Sequence, residues 1–265
     1  MTRSLFVLAG LTLLPLAAAY AGAGKEQITL TVLYDNTVAH AGVQSDWGFA
    51  CLVEGTASTV LFDTGTEGSI LSHNAEALGV DLAKVEVVVL SHEHRDHTGG
   101  LERVLRTNPK VVVYHPASFS GKFIDWLDRS GARAVAVDEP VTIGPDLFLT
   151  GQLGSAIKEQ ALIVKTADGL VVVTGCSHPG IVAIVARTSA LHAEPIDAVV
   201  GGFHLMQHSD AATRQVIARL RELGVRRCGP CHCTGERQIE LFRQAFGEAF
   251  VPMGVGRVLR FQSIR

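Results

Sequence analysis

The chain has 265 residues, with 23 Lys and Arg against 26 Asp and Glu, and a formal net charge of −3. Both signs are mixed along it, with no basic block and no aromatic residues interleaved with basic ones, which argues against a nucleic-acid surface and favours a small-molecule substrate. No linker, repeat or low-complexity segment divides it, and the length suits one large α/β domain.

The first segment is Met1-Thr2-Arg3, an apolar stretch from Ser4 to Ala18, and Ala19-Tyr20-Ala21. A basic start, an apolar middle and an Ala-x-Ala end are the parts of a secretory signal peptide. Residues 1–21 are therefore expected to be removed and residues 22–265 to form the domain, in a periplasmic or secreted protein. The apolar stretch is shorter than the ~20 residues of a membrane span, so no stable span is expected after cleavage.

Ile28 to Tyr34 alternates apolar and polar residues at period two, and Phe49 to Val53 and Thr59 to Phe62 repeat the pattern, as in an antiparallel meander. Helical and strand patterns then interleave: a helix over Ser69 to Leu78, a strand over Val85 to Leu90, a helix over Gly99 to Arg106 and a strand over Val111 to Tyr114. Ala161 to Thr166 and Val171 to Thr174 flank the turn Ala167-Asp168-Gly169, a hairpin signal. Pro179 to Leu191 reads as a helix with Pro in its first turn, Ile196 to Val200 as a strand, and Ala211 to Leu223 as an amphipathic helix. Strands first and alternating units afterwards indicate the α/β class.

The chemistry-bearing residues follow the strands. His92, His94, Asp96 and His97 put four potential metal ligands into six residues just past Val85 to Leu90. Imidazole and carboxylate together suit zinc, or less selectively iron or manganese. Four local donors are too many for one open catalytic site and too few for two, so two sites completed by distant residues fit best. Cys176 and His178 follow the strand ending at Thr174, and His204 follows the one ending at Val200. His178 is a candidate ligand, and Cys176 is either a thiolate ligand or a small buried residue beneath the site. His204 is a substrate-binding or proton-donating residue, or else a satisfied loop histidine. Cys228-Gly229-Pro230-Cys231-His232 carries three readings: a covalent haem attachment pattern, a thioredoxin-type redox pair at Cys228 and Cys231, and a metal ligand at His232. Cys51 reads as a core residue. His115 ends a strand where it can line a pocket.

The run His92 to His97 resembles the second motif of the metallo-β-lactamase superfamily, and Leu61-Phe62-Asp63-Thr64-Gly65 resembles its first. The stretches Leu33 to Thr37, Trp47 to Phe49, Thr174 to His178, Gly201 to Leu205 and His232 to Gly235 are similar to a branch of it: the 7,8-dihydropterin-6-yl-methyl-4-(β-D-ribofuranosyl)aminobenzene 5′-phosphate synthase-like metal-dependent hydrolases. The resemblance implies a four-layer αββα sandwich with one or two divalent metals, expected to be two zinc ions with iron or manganese as alternatives. It assigns His92 and His94 to one metal, Asp96 and His97 to the other, His232 as the last ligand, and Asp63 as a carboxylate that orients the ligand loop without binding metal. Most superfamily members have a bridging Asp after the strand Gly, where this chain has Cys176. They also carry a Gly-His-Thr before that strand, where this chain reads Lys158 to Leu162, so His178 is the candidate to stand in for the missing His.

The expected function is hydrolysis of an ester, phosphoester, lactone or lactam by a metal-bound hydroxide, with Asp96 orienting it and His204 stabilising an oxyanion or protonating the leaving group. The competing reading is a periplasmic, non-catalytic metal-binding or thiol-redox module built on Cys228 and Cys231.

Overall fold

The structure is a computed structural model describing residues 27–264, so the expected signal peptide over residues 1–21 lies outside the described residues. Along the first half run β1 (Gln27–Tyr34), β2 (Ala50–Glu54), β3 (Val60–Phe62), α1 (Gly68–Ala77), β4 (Val87–Val89), α2 (Arg95–Thr98), α3 (Leu101–Thr107), β5 (Val112–Pro116), α4 (Gly121–Ser130) and β6 (Arg133–Val137). The second half comprises β7 (Val141–Gly144), β8 (Leu147–Leu149), β9 (Leu162–Thr166), β10 (Gly169–Thr174), α5 (Ile181–Leu191), β11 (Ile196–Gly202), α6 (Asp210–Glu222), β12 (Arg227–Cys231), α7 (Glu236–Phe246) and β13 (Val258–Gln262). One sheet has the order β13-β1-β2-β3-β4-β5-β6, the other β12-β11-β10-β9-β8-β7. No helix among the described residues is long and apolar enough to cross a membrane.

Side chains alternate across a strand, and here both faces of each sheet are buried. Val60 and Phe62 of β3 point between the sheets, where they share one core with Val171 and Val173 of β10 and Val200 of β11. Leu61 of β3 and Val88 of β4 point the other way, under Leu71 of α1 and Val104 of α3. Val172 and Val199 pack outward against Ile184 of α5, Leu220 of α6 and Phe242 of α7. Three cores separate four layers, which is the αββα sandwich.

The meander β1-β2-β3 and the β9-β10 hairpin stand where the residue pattern puts them, and Cys51 is buried between the sheets. The helix expected over Gly99 to Arg106 is α3, Leu101–Thr107, and a separate short α2 that carries Asp96 and His97 precedes it across a break at Gly99 and Gly100. A Cβ on Gly99 would lie 2.0 Å from the Thr66 carbonyl oxygen, and one on Gly100 2.2 Å from that of Thr64. Those two glycines let α2 press its ligands against the loop leaving β3. The helix after Pro179 begins at Ile181, because Gly180 at its N-cap has a φ of 93°.

β3 pairs parallel with β4, and β10, β11 and β12 are mutually parallel. β1 is antiparallel to β2, which is antiparallel to β3, so β1 runs with β3. The C-terminal ends of β1, β3 and β4 therefore share one edge of their sheet, and those of β10, β11 and β12 share one edge of theirs. Carboxyl edges of this kind are where α/β folds build sites.

Candidate metal centre

Two groups of donors meet at that rim. His92 and His94, leaving β4, come together with His178, leaving β10; Asp96 and His97 of α2 come together with Cys176 and with His232, just past β12. Within each group the ligand atoms lie within 4.8 Å of one another. His92 and His94 thus fall in one group and Asp96 and His97 in the other, with His178 beside the first pair.

Hydrogen bonds set the imidazole tautomers. Ser91 Oγ donates to Asp63 Oδ2 at 2.7 Å, which leaves it to accept from His92 Nδ1 at 2.9 Å. His92 Nε2 then presents a lone pair, 3.1 Å from His94 Nδ1. Burial lowers the basicity of His92 well below the ordinary value, and the neighbouring imidazoles lower it further. Burial likewise takes His178 down to about 4, helped by His204 and His94. Neutral imidazoles with converging lone pairs are what a cation needs.

The second group is arranged by carboxylates and an amide. His97 Nδ1 donates to Asp63 Oδ2 at 2.7 Å, both residues fully buried, so its Nε2 faces Cys176 Sγ at 3.2 Å and Asp96 Oδ2 at 3.5 Å. Asp63 thus holds the His97 ring by its Nδ1–H, and its Oδ1 accepts from the Ser91 N–H at 2.7 Å. Burial disfavours the charged form of His97, but Asp63 and Asp96 outweigh this and raise it to about 10. His232 Nδ1 donates to Asn36 Oδ1 at 3.0 Å, turning Nε2 toward Asp96 Oδ2 at 3.2 Å. Burial pushes the Asp96 carboxyl up, and its close approach to His232 and His97 more than reverses this, holding it well below the usual carboxylate range. Trp47 adds a donor, Nε1 to Asp96 Oδ2 at 2.9 Å, and lays its ring 4.8 Å from that of His232.

The donor set fits a divalent metal. The Nε2 atoms of His178 and His232 are buried and lack a hydrogen-bond partner, a costly state unless a cation takes the lone pair. Four non-glycine residues among those described have left-handed φ: Asp63 at 56°, Ser177 at 62°, His204 at 53° and His232 at 49°. All lie in the loops of this rim, and such strain, about 1–3 kcal/mol each, gathers at functional sites.

Three supporting residues have no role assigned from the sequence. Glu159, fully buried, accepts at Oε1 from the backbone N–H of Gly175, Cys176 and Ser177, at 3.1, 2.9 and 2.8 Å, and at Oε2 from that of His178, at 2.9 Å. It moulds the loop carrying two candidate ligands. Burial pushes its carboxyl up to about 7, with the N–H bonds pulling the other way. Ser91 and Asn36 set tautomers as described. Their only trace in the sequence is position, each one or two residues past a strand end.

Cys228 and Cys231 form no redox pair, correcting the thioredoxin-type and haem readings. They sit three apart on β12 and so project to opposite faces, Cys228 into the core beneath the helices and Cys231 into the core between the sheets. Burial pushes both thiols up, the inert state of a structural cysteine. His115 is buried away from the donors; its Nδ1 lies 2.9 Å from the Pro116 carbonyl oxygen and its ring 5.3 Å from that of Phe119. His204 is exposed with its ring 4.3 Å from that of His178, and it groups with Cys176 and Cys233.

The sequence profile of the metallo-β-lactamase superfamily matches residues 48–232, spanning the donors from β4 to His232. The chain belongs to this superfamily. It is 27% identical to the 7,8-dihydropterin-6-methyl-4-(β-D-ribofuranosyl)-aminobenzene-5′-phosphate synthase of Methanocaldococcus jannaschii, across 82% of this chain and 90% of that protein. Among solved structures it is similar to Tm1679, a metal-dependent hydrolase of the β-lactamase superfamily, with a TM-score of 0.76, 31% identity, and coverage of 89% of this chain and all of the other. It shares its fold with YhfI of Bacillus subtilis, at a TM-score of 0.65, 17% identity, and coverage of 89% and 100%.

Proposed function

We propose that the chain is a metal-dependent hydrolase of a small molecule, cleaving an ester, phosphoester, lactone or lactam bond at a dinuclear centre. The observation that carries this reading is the pair of donor groups at one rim, each with a buried imidazole Nε2 that no protein group satisfies. His92, His94 and His178 would hold one ion, and Asp96, His97, Cys176 and His232 the other. Zinc suits both sets, with iron or manganese as alternatives. Such ions supply Lewis acidity and lower the pKa of water to about 7.

The chain's own residues do the rest. Asp96, ionised and fixed by Trp47, His97 and His232, orients the attacking water. His204, exposed beside His178, faces the reacting bond as a proton donor or oxyanion partner; its basicity is raised, chiefly through its hydrogen bond with Cys233. A cavity of about 440 Å³ beside His232, walled by Trp47, Met206, Ile239 and Met253, suits a small substrate with an apolar part. The M. jannaschii relative is named as the synthase of a compound that carries a 5′-phosphate, and the Tm1679 structure is titled a hydrolase, so substrates that carry a phosphate head the candidates. Secretion, which the leader suggests, belongs to the same proposal.

The test is turnover of phosphodiesters, carboxylic esters, lactones and β-lactams by protein stripped with a chelator and reloaded with zinc, iron or manganese. Activity that vanishes on stripping, returns on reloading and is lost in His92→Ala is expected. Activity that survives stripping overturns the reading.

A further inference from the structure

We propose that Cys176, His204 and Cys233 form a third metal site, selective for a thiophilic d10 cation such as zinc or copper(I), next to the dinuclear centre. Two sulfurs and one imidazole nitrogen lie within 4.8 Å of one another. This donor set differs from its neighbours: His92, His94 and His178 offer nitrogen only, and the Asp96 group offers nitrogen, oxygen and one sulfur. Two thiolates and an imidazole with no oxygen donor favour soft or borderline ions and give manganese or magnesium nothing they prefer.

The donors are held as the other ligands are, on successive parallel strand ends: Cys176 past β10, His204 past β11 and Cys233 past β12. The loops are tied together by Thr234, whose Oγ1 accepts from the Phe203 N–H at 3.0 Å and donates to the Cys231 carbonyl at 2.6 Å. Cys233 Sγ lies 3.5 Å from the Cys176 carbonyl oxygen. Gly202 leaves room for that sulfur, since a Cβ there would lie 2.7 Å from it. His204 reaches the cluster from a left-handed backbone, φ 53°, a conformation that costs free energy in a histidine. Both sulfurs are buried, yet the site has its own entrance: a cavity of about 210 Å³ lined by Trp47, His204, Met206, Gln207, His208 and Cys233. Cys176 belongs to both sets, so an ion here shares a thiolate with the second ion of the dinuclear centre. By taking one ring nitrogen of His204, that ion leaves the other N–H as the oxyanion partner.

The test counts ions and needs no turnover. Reduced, metal-free protein is equilibrated with cadmium as the thiophilic probe and, separately, with manganese, and bound metal is read by native mass spectrometry. Wild-type protein is expected to hold about three cadmium ions, Cys233→Ala and His204→Ala about two each, and Cys228→Ala, altered in the distant core, about three; manganese stops at about two throughout. Circular dichroism checks that each variant folds, and cadmium–thiolate absorption still rising through the third equivalent in wild-type protein gives a readout without any variant. Equal cadmium counts in wild type and both site variants, or absorption that saturates at two equivalents, overturns the site. The dinuclear reading fails separately: if it is wrong, His92→Ala keeps the wild-type count while the loss in Cys233→Ala remains.

Discussion

Trp47 is nearly half exposed, yet its indole N–H is committed inward to Asp96, and its ring lies against His232. A large aromatic residue left in solvent is ordinarily unremarkable; one that hydrogen-bonds a candidate ligand sets that ligand's orientation. Trp47→Phe keeps the apolar ring and removes the donor. Because groups that hold metal ligands typically contribute about 10–100-fold to affinity, the variant is expected to weaken zinc binding by that factor. Competition against a chromophoric chelator measures it, and unchanged affinity means that His97 and His232 fix Asp96 unaided. Residues of this kind were poorly legible from the chain. His92, His94, Asp96 and His97 announce themselves by spacing, whereas Asn36 meets His232 across 196 positions and Glu159 meets His178 across 19. A single amide or carboxylate in a loop has no local pattern, because its partner is chosen by the fold.

At the scale of elements, the loop leaving β10 depends on Glu159 for four backbone hydrogen bonds, which substitute for the regular structure it lacks. The carboxyl of Glu159 is raised from 4.5 to about 7 in the fold. An acid raised on folding adds stability that is fully present below its unfolded pKa and is lost as pH rises through the folded value. Metal-free protein should therefore lose on the order of 3 kcal/mol from this group between about pH 4.5 and 7. Glu159→Gln, which has no proton to lose, is expected to remove that portion of the slope in urea denaturation measured across the same range. An identical slope in the variant would show that Glu159 stays ionised throughout. Elements themselves were legible where the period was strict: β1, the β9-β10 hairpin and α6 stand within a residue or two of their patterns. α4, β6, β7, β8, α7 and β13 carry no expectation in the sequence reading. β13 finds its place only by pairing with β1 from the other end of the chain, a contact that no local window contains. The Cys228-Gly229-Pro230-Cys231 motif misled for the opposite reason: it has a strong local signature, but a strand, unlike the helix start of a redox pair, sends those two thiols to opposite faces.

For the whole molecule, the two sheets form one body chiefly through the core between them, and at the rim their strand ends meet across the donor groups. Loops from β3, β4 and α2 supply Asp63, His92, His94, Asp96 and His97, while β10 and β12 supply Cys176, His178 and His232. An ion in either group therefore ties one half of the sandwich to the other. Metal present at 100 times its dissociation constant stabilises a fold by about 2.7 kcal/mol per site. For a domain of this size that is about 5–10 °C in Tm for each ion. Calorimetry with and without a chelator should show a fall of that order, and an unchanged Tm would mean that the rim does not need its ions to hold the halves together.

The most direct measurement is anomalous diffraction at the zinc edge from crystals of the zinc-loaded protein. One peak is expected enclosed by His92, His94 and His178 and a second enclosed by Asp96, His97, Cys176 and His232, with a third beside His204 and Cys233 for the thiolate site. A single peak shared by the first two groups, or no peak at either one, would contradict the dinuclear centre.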